Sequence, residues 1–253
     1  MVKLALAAVA ASVLAVGAQA GDRVQVHATI SYAMREGVIQ QARLEIRRGG
    51  TLRFATSVRS LSHGRADLLG LRVRDLDGDG EPEILLDLYT RGAHCCWQSL
   101  VYRYVAPTYR ETLHGWGNVD YRLADLDHDG RPELRSADDR FAYAFTDFAD
   151  SFFPVRIWHF DRGRFLEVTR RFPATVEADA TKLWRDYLEL RRSGRDGRGA
   201  LAAWLADEYQ LGRSSEGWEQ LDKLSHQGAL GSQATAYLNN LRVFLRKLGY
   251  TPR

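Results

Sequence analysis

Two short stretches carry residues of a type and spacing that could do chemistry. Asp75, Asp77 and Asp79 alternate along the chain and lead to Gly80 and Glu83, and Asp125, Asp127 and Asp129 lead at the same spacing to Gly130 and Glu133. Calcium is a hard cation that takes six to eight oxygens at roughly 2.3–2.6 Å, drawn from carboxylates, backbone carbonyls and water. Aspartates at alternate positions of a tight loop can aim such oxygens at one centre. The expected ligands are Asp75, Asp77, Asp79, the carbonyl near Glu81 and Glu83 for one ion, and Asp125, Asp127, Asp129, the Arg131 carbonyl and Glu133 for a second. Aspartate and glycine also favour solvated turns without any ligand, but two copies with identical spacing argue against coincidence. Carboxylates crowded within a few ångströms repel one another when empty, so metal binding there would become folding energy.

An EF-hand also opens with aspartates at its first, third and fifth positions and glycine at the sixth, but it needs glutamate at the twelfth. Those places hold Leu86 and Ser136. The acid sits three places earlier and is followed by Ile84-Leu85-Leu86 in one copy and Leu134 in the other, which predicts a strand leaving the loop instead of a helix. Over Val73–Ile84 and Leu123–Leu134 the loops resemble the calcium repeats of FG-GAP and VCBS-type extracellular proteins, including the integrin α propeller. The resemblance implies two structural calcium sites at the residues just named.

The elements around these loops repeat as well. Each copy leads to an aromatic strand pair: Val101–Tyr104 with Tyr109–Glu111, then Arg156–Phe160 with Arg164–Val168, the latter turning at Asp161-Arg162-Gly163. Earlier, Ala42–Ile46 and Thr51–Phe54 flank Gly49-Gly50, a pair able to supply the positive φ angles of a hairpin turn. Before them Val24, Val26, Ala28, Ile30 and Tyr32 alternate as in a strand. A period near fifty residues with several strands per unit suits propeller blades or a stacked array. At most about three units can be counted, and a closed propeller takes four or more. The expectation is therefore a mainly β repeat domain, propeller-like or an open β array or sandwich.

After Pro173 the apolar pattern changes to a helical period through Leu183, Trp184, Tyr187, Leu188, then Leu201, Trp204, Leu205, Tyr209, then Trp218, Leu221, Leu224, and finally Leu238, Leu241, Phe244, Leu245, Leu248, with Gly249 as a cap. Four short helices forming a small C-terminal α-helical bundle follow, α+β overall. The organisation read this way is a signal peptide at 1–20, a β-rich calcium-binding repeat domain at 21–173 and a helical domain at 174–253.

The leader rests on Lys3, the apolar run Leu4–Val16 and the small-residue ending Ala18-Gln19-Ala20. It predicts a secreted or periplasmic protein cleaved near Ala20. No later segment offers about eighteen apolar residues in a row, so no membrane insertion is expected. The formal charge of +3 spreads over interspersed basic and acidic residues, which excludes a nucleic-acid stripe. Both cysteines lie side by side in His94-Cys95-Cys96-Trp97. A strained vicinal disulfide, a reduced pair beside Trp97, an intermolecular bridge, and a soft-metal or redox site using His94 all remain open.

No HExxH pair, GxSxG elbow or phosphate loop occurs, so the balance leans away from an enzyme. The function expected is an exported calcium-binding, non-catalytic protein-interaction module with a protein or cell-envelope polymer as partner. One alternative is a periplasmic inhibitor or immunity protein against a peptidoglycan hydrolase. Another is a calcium-dependent glycan or phosphoester hydrolase using Asp87, Asp138 or Asp139 as acid and base. Trp184, Trp204 and Trp218 fall at core spacing, whereas Trp116, between Gly115 and Gly117, is the better candidate for an exposed contact.

Overall fold

A computed structural model describes residues 8–14, 24–35, 38–62, 66–90 and 96–252. Three four-stranded sheets succeed one another along it, each built from consecutive strands. The first orders β1 (Ala8–Leu14), β2 (Val26–Arg35), β3 (Val38–Arg48) and β4 (Thr51–Ser57) as β1-β2-β3-β4. After a short helix α1 (Arg59–Ser62), the second orders β5 (Asp67–Arg74), β6 (Glu83–Tyr89), β7 (Trp97–Val105) and β8 (Thr108–Gly117) as β5-β6-β7-β8. The third contains β9 (Arg122–Ala124), β10 (Glu133–Ala137), β11 (Val155–Asp161) and β12 (Arg164–Glu167), in the order β12-β11-β10-β9. Four helices follow: α2 (Pro173–Arg192), α3 (Arg198–Leu211), α4 (Ser214–His226) and α5 (Ala234–Lys247). The mixed α+β class agrees with the sequence reading, and among the described residues no sheet closes into a barrel.

Local chemistry explains the turns. Gly49 and Gly50 have φ of +56° and +76°, and the β3–β4 ladder closes across them at Arg48 and Thr51. Two successive positive φ angles are what a two-residue hairpin with the right twist requires. Alternation then buries Val26, Ala28 and Ile30 of β2 and Ala42, Leu44 and Ile46 of β3, in one core with Ile84, Leu86 and Leu88 of β6 and Tyr102 of β7. Strand β6 departs from simple alternation, because every residue from Glu83 to Leu88 is buried. It pairs with β5 on one side and β7 on the other and is covered on both faces, so its run reads as continuous. Its second face carries Glu83, Leu85 and Asp87, which places two carboxyl groups inside.

The apolar run expected to be the hydrophobic part of a leader is, over Ala8–Leu14, strand β1, paired antiparallel with β2 from Ala8 opposite Ala33 to Leu14 opposite His27. A run of Ala, Val and Leu satisfies an open sheet edge as readily as it satisfies a leader. The expected cleavage position at Ala20 lies outside the described residues.

Two compact units can be distinguished, one running to Leu134 and taking in His159–Leu166, the other comprising Arg135–Trp158 and the chain from Glu167 onward. The helices thus share their unit with Arg135–Trp158. Phe141 lies in the core of its helices, with Phe145, Phe152 and Phe153 packed against it. Helix α2 begins on Pro173, whose missing N–H costs nothing at a first helical position. Helix α3 is buried on all sides from Gly199 to Gln210, which the stripe Leu201, Trp204, Leu205, Tyr209 did not reveal. Small residues at 199, 200, 202, 203 and 206 let neighbouring chain approach it closely. A Cβ on Gly199 would lie 2.4 Å from the backbone oxygen of Asp150 and 3.0 Å from Thr146 Oγ1. Gly199→Ala should therefore destabilise the protein by about 1–3 kcal/mol in thermal or denaturant melts, whereas Gly115→Ala, which meets open space, should cost clearly less.

Candidate functional site

Both acidic loops connect the first and second strands of a sheet, β5 to β6 and β9 to β10, and they fold through the same internal hydrogen bonds. The closing glutamate turns back inward. Leu76 N–H donates to Glu83 Oε2 at 2.9 Å, and Leu126 N–H donates to Glu133 Oε2 at 2.6 Å. Gly80 N–H donates to Asp75 Oδ2 at 3.0 Å, and Gly130 N–H to Asp125 Oδ2 at 3.1 Å. Glu81 N–H and Arg131 N–H donate to Asp79 Oδ1 and Asp129 Oδ1, each at 2.8 Å. Gly80 and Gly130 take φ of +87° and +89°, the left-handed conformation anticipated from their type.

Of the expected ligands, each loop brings three carboxylates together. Oxygens of Asp75, Asp77 and Glu83 lie within 4.8 Å of one another, as do oxygens of Asp125, Asp127 and Glu133. Two ligands on one calcium ion cannot be more than about 5 Å apart, so both triads fit a single ion. Each also contains a buried oxygen that no hydrogen bond satisfies: Glu83 Oε1 in the first and Asp125 Oδ1 in the second. Such orphaned oxygens are costly unless a cation or water meets them. The third aspartates stand apart from the triads, since Asp79 Oδ2 accepts from Arg103 at 2.7 Å and Asp129 is engaged by the Arg131 amide. The Glu81 carboxylate is turned away, held by two hydrogen bonds from Arg48 at 2.9 and 2.7 Å. The Arg131 side chain packs over the first loop, its Cγ 2.6 Å from where a Cβ on Gly78 would stand.

The two loops differ in what neutralises them. In the first, Arg103 donates to Asp77 Oδ2 at 3.1 Å and to Asp79, and its Nε is 3.8 Å from Glu83 Oε1. The ladder explains its position, because Ile84 pairs with Tyr102, which sets Glu83 and Arg103 side by side on the next rung. In the second, His159 Nε2 lies 2.7 Å from Glu133 Oε1. Neither partner was named from sequence; for Arg103 the available signal was its distance along a strand from the hairpin turn. Burial, reinforced by the charges of Asp77, Asp79 and Asp75, pushes the Glu83 carboxyl up to about 9, against the opposing hydrogen bond from Leu76.

The remaining sequence candidates separate. Trp116, expected to be exposed, is buried at 4% exposure, its indole N–H donating to Ser99 Oγ at 2.9 Å. Asp138 is 2% exposed; burial alone would raise its carboxyl, but hydrogen bonds from Arg140 and Tyr250 and the charge of Arg156 hold it below the ordinary range. A carboxylate so held has no proton to give. Asp87 lines a pocket described below. Cys96 is disulfide-bonded, and its backbone is clamped by Thr90, whose N–H donates to the Cys96 carbonyl at 3.0 Å. His94 and Cys95 lie outside the described residues.

Comparisons with known proteins match one family model within the helices and two relatives over longer stretches of the chain. Residues 176–249 match the family model described as "sll0997 C-terminal domain". Over 164 residues, 60% of this chain and 47% of the relative, the chain is 29% identical to the "Probable thylakoid lumen protein sll0997" of Synechocystis sp.. Over 194 residues, 73% of this chain and 30% of the relative, it is 30% identical to the "Uncharacterized protein y4bJ" of Sinorhizobium fredii. The chain thus spans less than half the length of either relative. No solved structure matches it. Among the described residues no helix is long and apolar enough to cross a membrane.

Two outcomes follow from the loop geometry. The folded, metal-free chain keeps a proton on Glu83 that the unfolded chain, with an ordinary carboxylate near 4.5, has lost. Stability in chelator should therefore fall as pH rises from about 4.5 to about 9, and Glu83→Gln should flatten that slope in urea melts. His128 occupies, at φ +61°, the place that Gly78 fills at +73° in the first loop. His128→Gly should then stabilise the protein by about 1 kcal/mol, while Gly78→Ala, strained and colliding with Arg131, should destabilise it.

Proposed function

We propose that the chain is an exported, calcium-binding, non-catalytic interaction module in which Asp75, Asp77 and Glu83 hold one structural ion and Asp125, Asp127 and Glu133 a second. The observation that carries this reading is the recurrence, in two loops of identical spacing, of three carboxylate oxygens within 4.8 Å and a buried oxygen lacking any hydrogen bond. The carbonyls at Glu81 and Arg131, the third aspartates and water would complete the shells. Each loop joining the first two strands of a four-stranded sheet supports the likeness to FG-GAP and VCBS repeats and a propeller-like arrangement of the units.

Export is supported by the basic residue, apolar run and Ala18-Gln19-Ala20 ending of a leader, whose removal would take β1 with it and leave β2-β3-β4 as the first sheet. The name of the Synechocystis relative assigns that protein to the thylakoid lumen, a compartment across a membrane from the cytoplasm, which agrees with it. A non-catalytic role fits an Asp138 pinned in an ion network. Calcium would then stiffen the turns between strands, leaving the sheet surfaces to meet a protein or a cell-envelope polymer.

The guanidinium of Arg103 competes with an ion at the first loop, and nothing equivalent among the described residues bridges the aspartates of the second. Calorimetric titration of the chelator-stripped protein should register two calcium ions bound, the second loop the tighter. Asp77→Asn and Asp127→Asn should each abolish one, and Arg103→Ala should tighten the first. Saturating both sites to about a hundred times their dissociation constants adds roughly 2.7 kcal/mol per site, so the melting temperature should rise by many degrees. No uptake of calcium at millimolar concentration overturns the proposal.

A further inference from the structure

On the sheet face that carries Glu83, but toward the other end of β6, a pocket of about 280 Å³ opens between β5, β6, β7 and the segment after β8. Its base is a closed hydrogen-bond network. Asp87 Oδ1 accepts from Ser99 Oγ at 2.6 Å and from the Tyr121 hydroxyl at 2.9 Å, and Oδ2 accepts from Arg72. Arg72 also donates to the Tyr121 hydroxyl at 2.6 Å, and Trp116 donates to Ser99. Trp116 and Tyr121 stack with ring centres 4.5 Å apart, and the half-buried Trp97 forms another wall. Both bordering ladders shift register here, at Leu68/Gly70 and at Trp97/Gln98; such bulges re-aim side chains around sites. Gly70 lies directly opposite Asp87, and a side chain there would reach its carboxylate.

We propose that this pocket binds a ring of a neutral carbohydrate. The proposal goes beyond the calcium reading and does not rest on it, since none of the lining residues belongs to either acidic loop. An anionic ligand is disfavoured: among the described lining residues the one cation, Arg72, is already matched by Asp87, and Asp120 at the rim adds negative charge. A cationic ligand would meet the charge of Arg72, whose guanidinium already covers the Tyr121 ring at 5.3 Å. A wholly apolar ligand would strip water from Gln98, Asp120 and Arg72 without replacing their hydrogen bonds. A pyranose has what these walls ask for, a face of C–H groups to lie on an indole and hydroxyls on its edge to pair with Arg, Asp and Gln side chains. The volume sits at the small end of ligand sites, which suits one ring, with the rest of a glycan extending outward.

The test is tryptophan fluorescence titration with cellotriose, maltotriose and tri-N-acetylchitotriose, against tetramethylammonium and inorganic phosphate as counter-probes. At least one of the neutral oligosaccharides should give a saturable change. Trp97→Ala and Gly70→Leu should each weaken it by about tenfold or more, with the circular-dichroism melt of at least one variant matching that of the parent. The proposal is overturned if no oligosaccharide saturates by about 10 mM, if a variant that melts like the parent binds equally well, or if only tetramethylammonium or phosphate binds. Should both variants melt early, Tyr121→Phe, which keeps the ring and deletes the hydroxyl, decides by the same criterion.

Discussion

Two glutamates with no exposed surface, Glu83 and Glu133, govern the β region. A carboxyl group taken out of water must be neutralised, hydrogen-bonded or matched by a cation. Each is given one backbone amide, from Leu76 or Leu126, and that single bond folds the acidic loop back over the start of the next strand. What remains unpaired on each differs. Glu133 has His159 against its second oxygen, whereas Glu83 faces Arg103 only at 3.8 Å. Aspartates packed against the same point raise the cost of leaving that oxygen charged, a cost that the proposed divalent ion would relieve.

The same strand connects this constraint to the pocket. Because side chains alternate along a strand, Glu83 and Asp87 share one face of β6, separated by the buried Leu85, while Ile84, Leu86 and Leu88 serve the core shared with the first sheet. One face thus carries a metal-type cluster at one end and an aromatic pocket at the other. Both rely on residues of β7 supplied by the ladder, Arg103 beside Glu83 and Ser99 opposite Asp87.

The helical unit also buries carboxyl groups. Asp207 on the fully buried helix α3 has neither oxygen within hydrogen-bond geometry of a donor. Burial, the charge of Asp179 and a contact with that second carboxyl raise Asp207 well above its ordinary value. That direction favours the neutral acid, which spares the core a second charge beside Asp179. Elsewhere in that unit Asp138 takes the opposite course, kept charged by Arg140, Arg156 and Tyr250.

Much of the frame was legible because its signals are local. The acidic loops depend on residues within nine positions, the Gly49-Gly50 hairpin on two left-handed angles, and the helices on an apolar period that places Leu183, Leu205, Leu221 and Leu241 in one core. Residue order alone was enough to tell which oxygens each loop could offer and where strands give way to helices. It misjudged Trp116, because an indole between two glycines looks exposed until Tyr121 stacks on it, and it gave no sign that Phe141 and Phe145 join the helical core, because they belong to no helical stripe. It took the folded sheets to lay Arg103 across the first loop, to bring His159 to Glu133, and to make Arg72, Asp87, Ser99 and Tyr121 converge. These partners lie between 12 and 49 positions apart, and strand register and bulges, which depend on the whole sheet, bring them together where no periodicity in the chain could announce it.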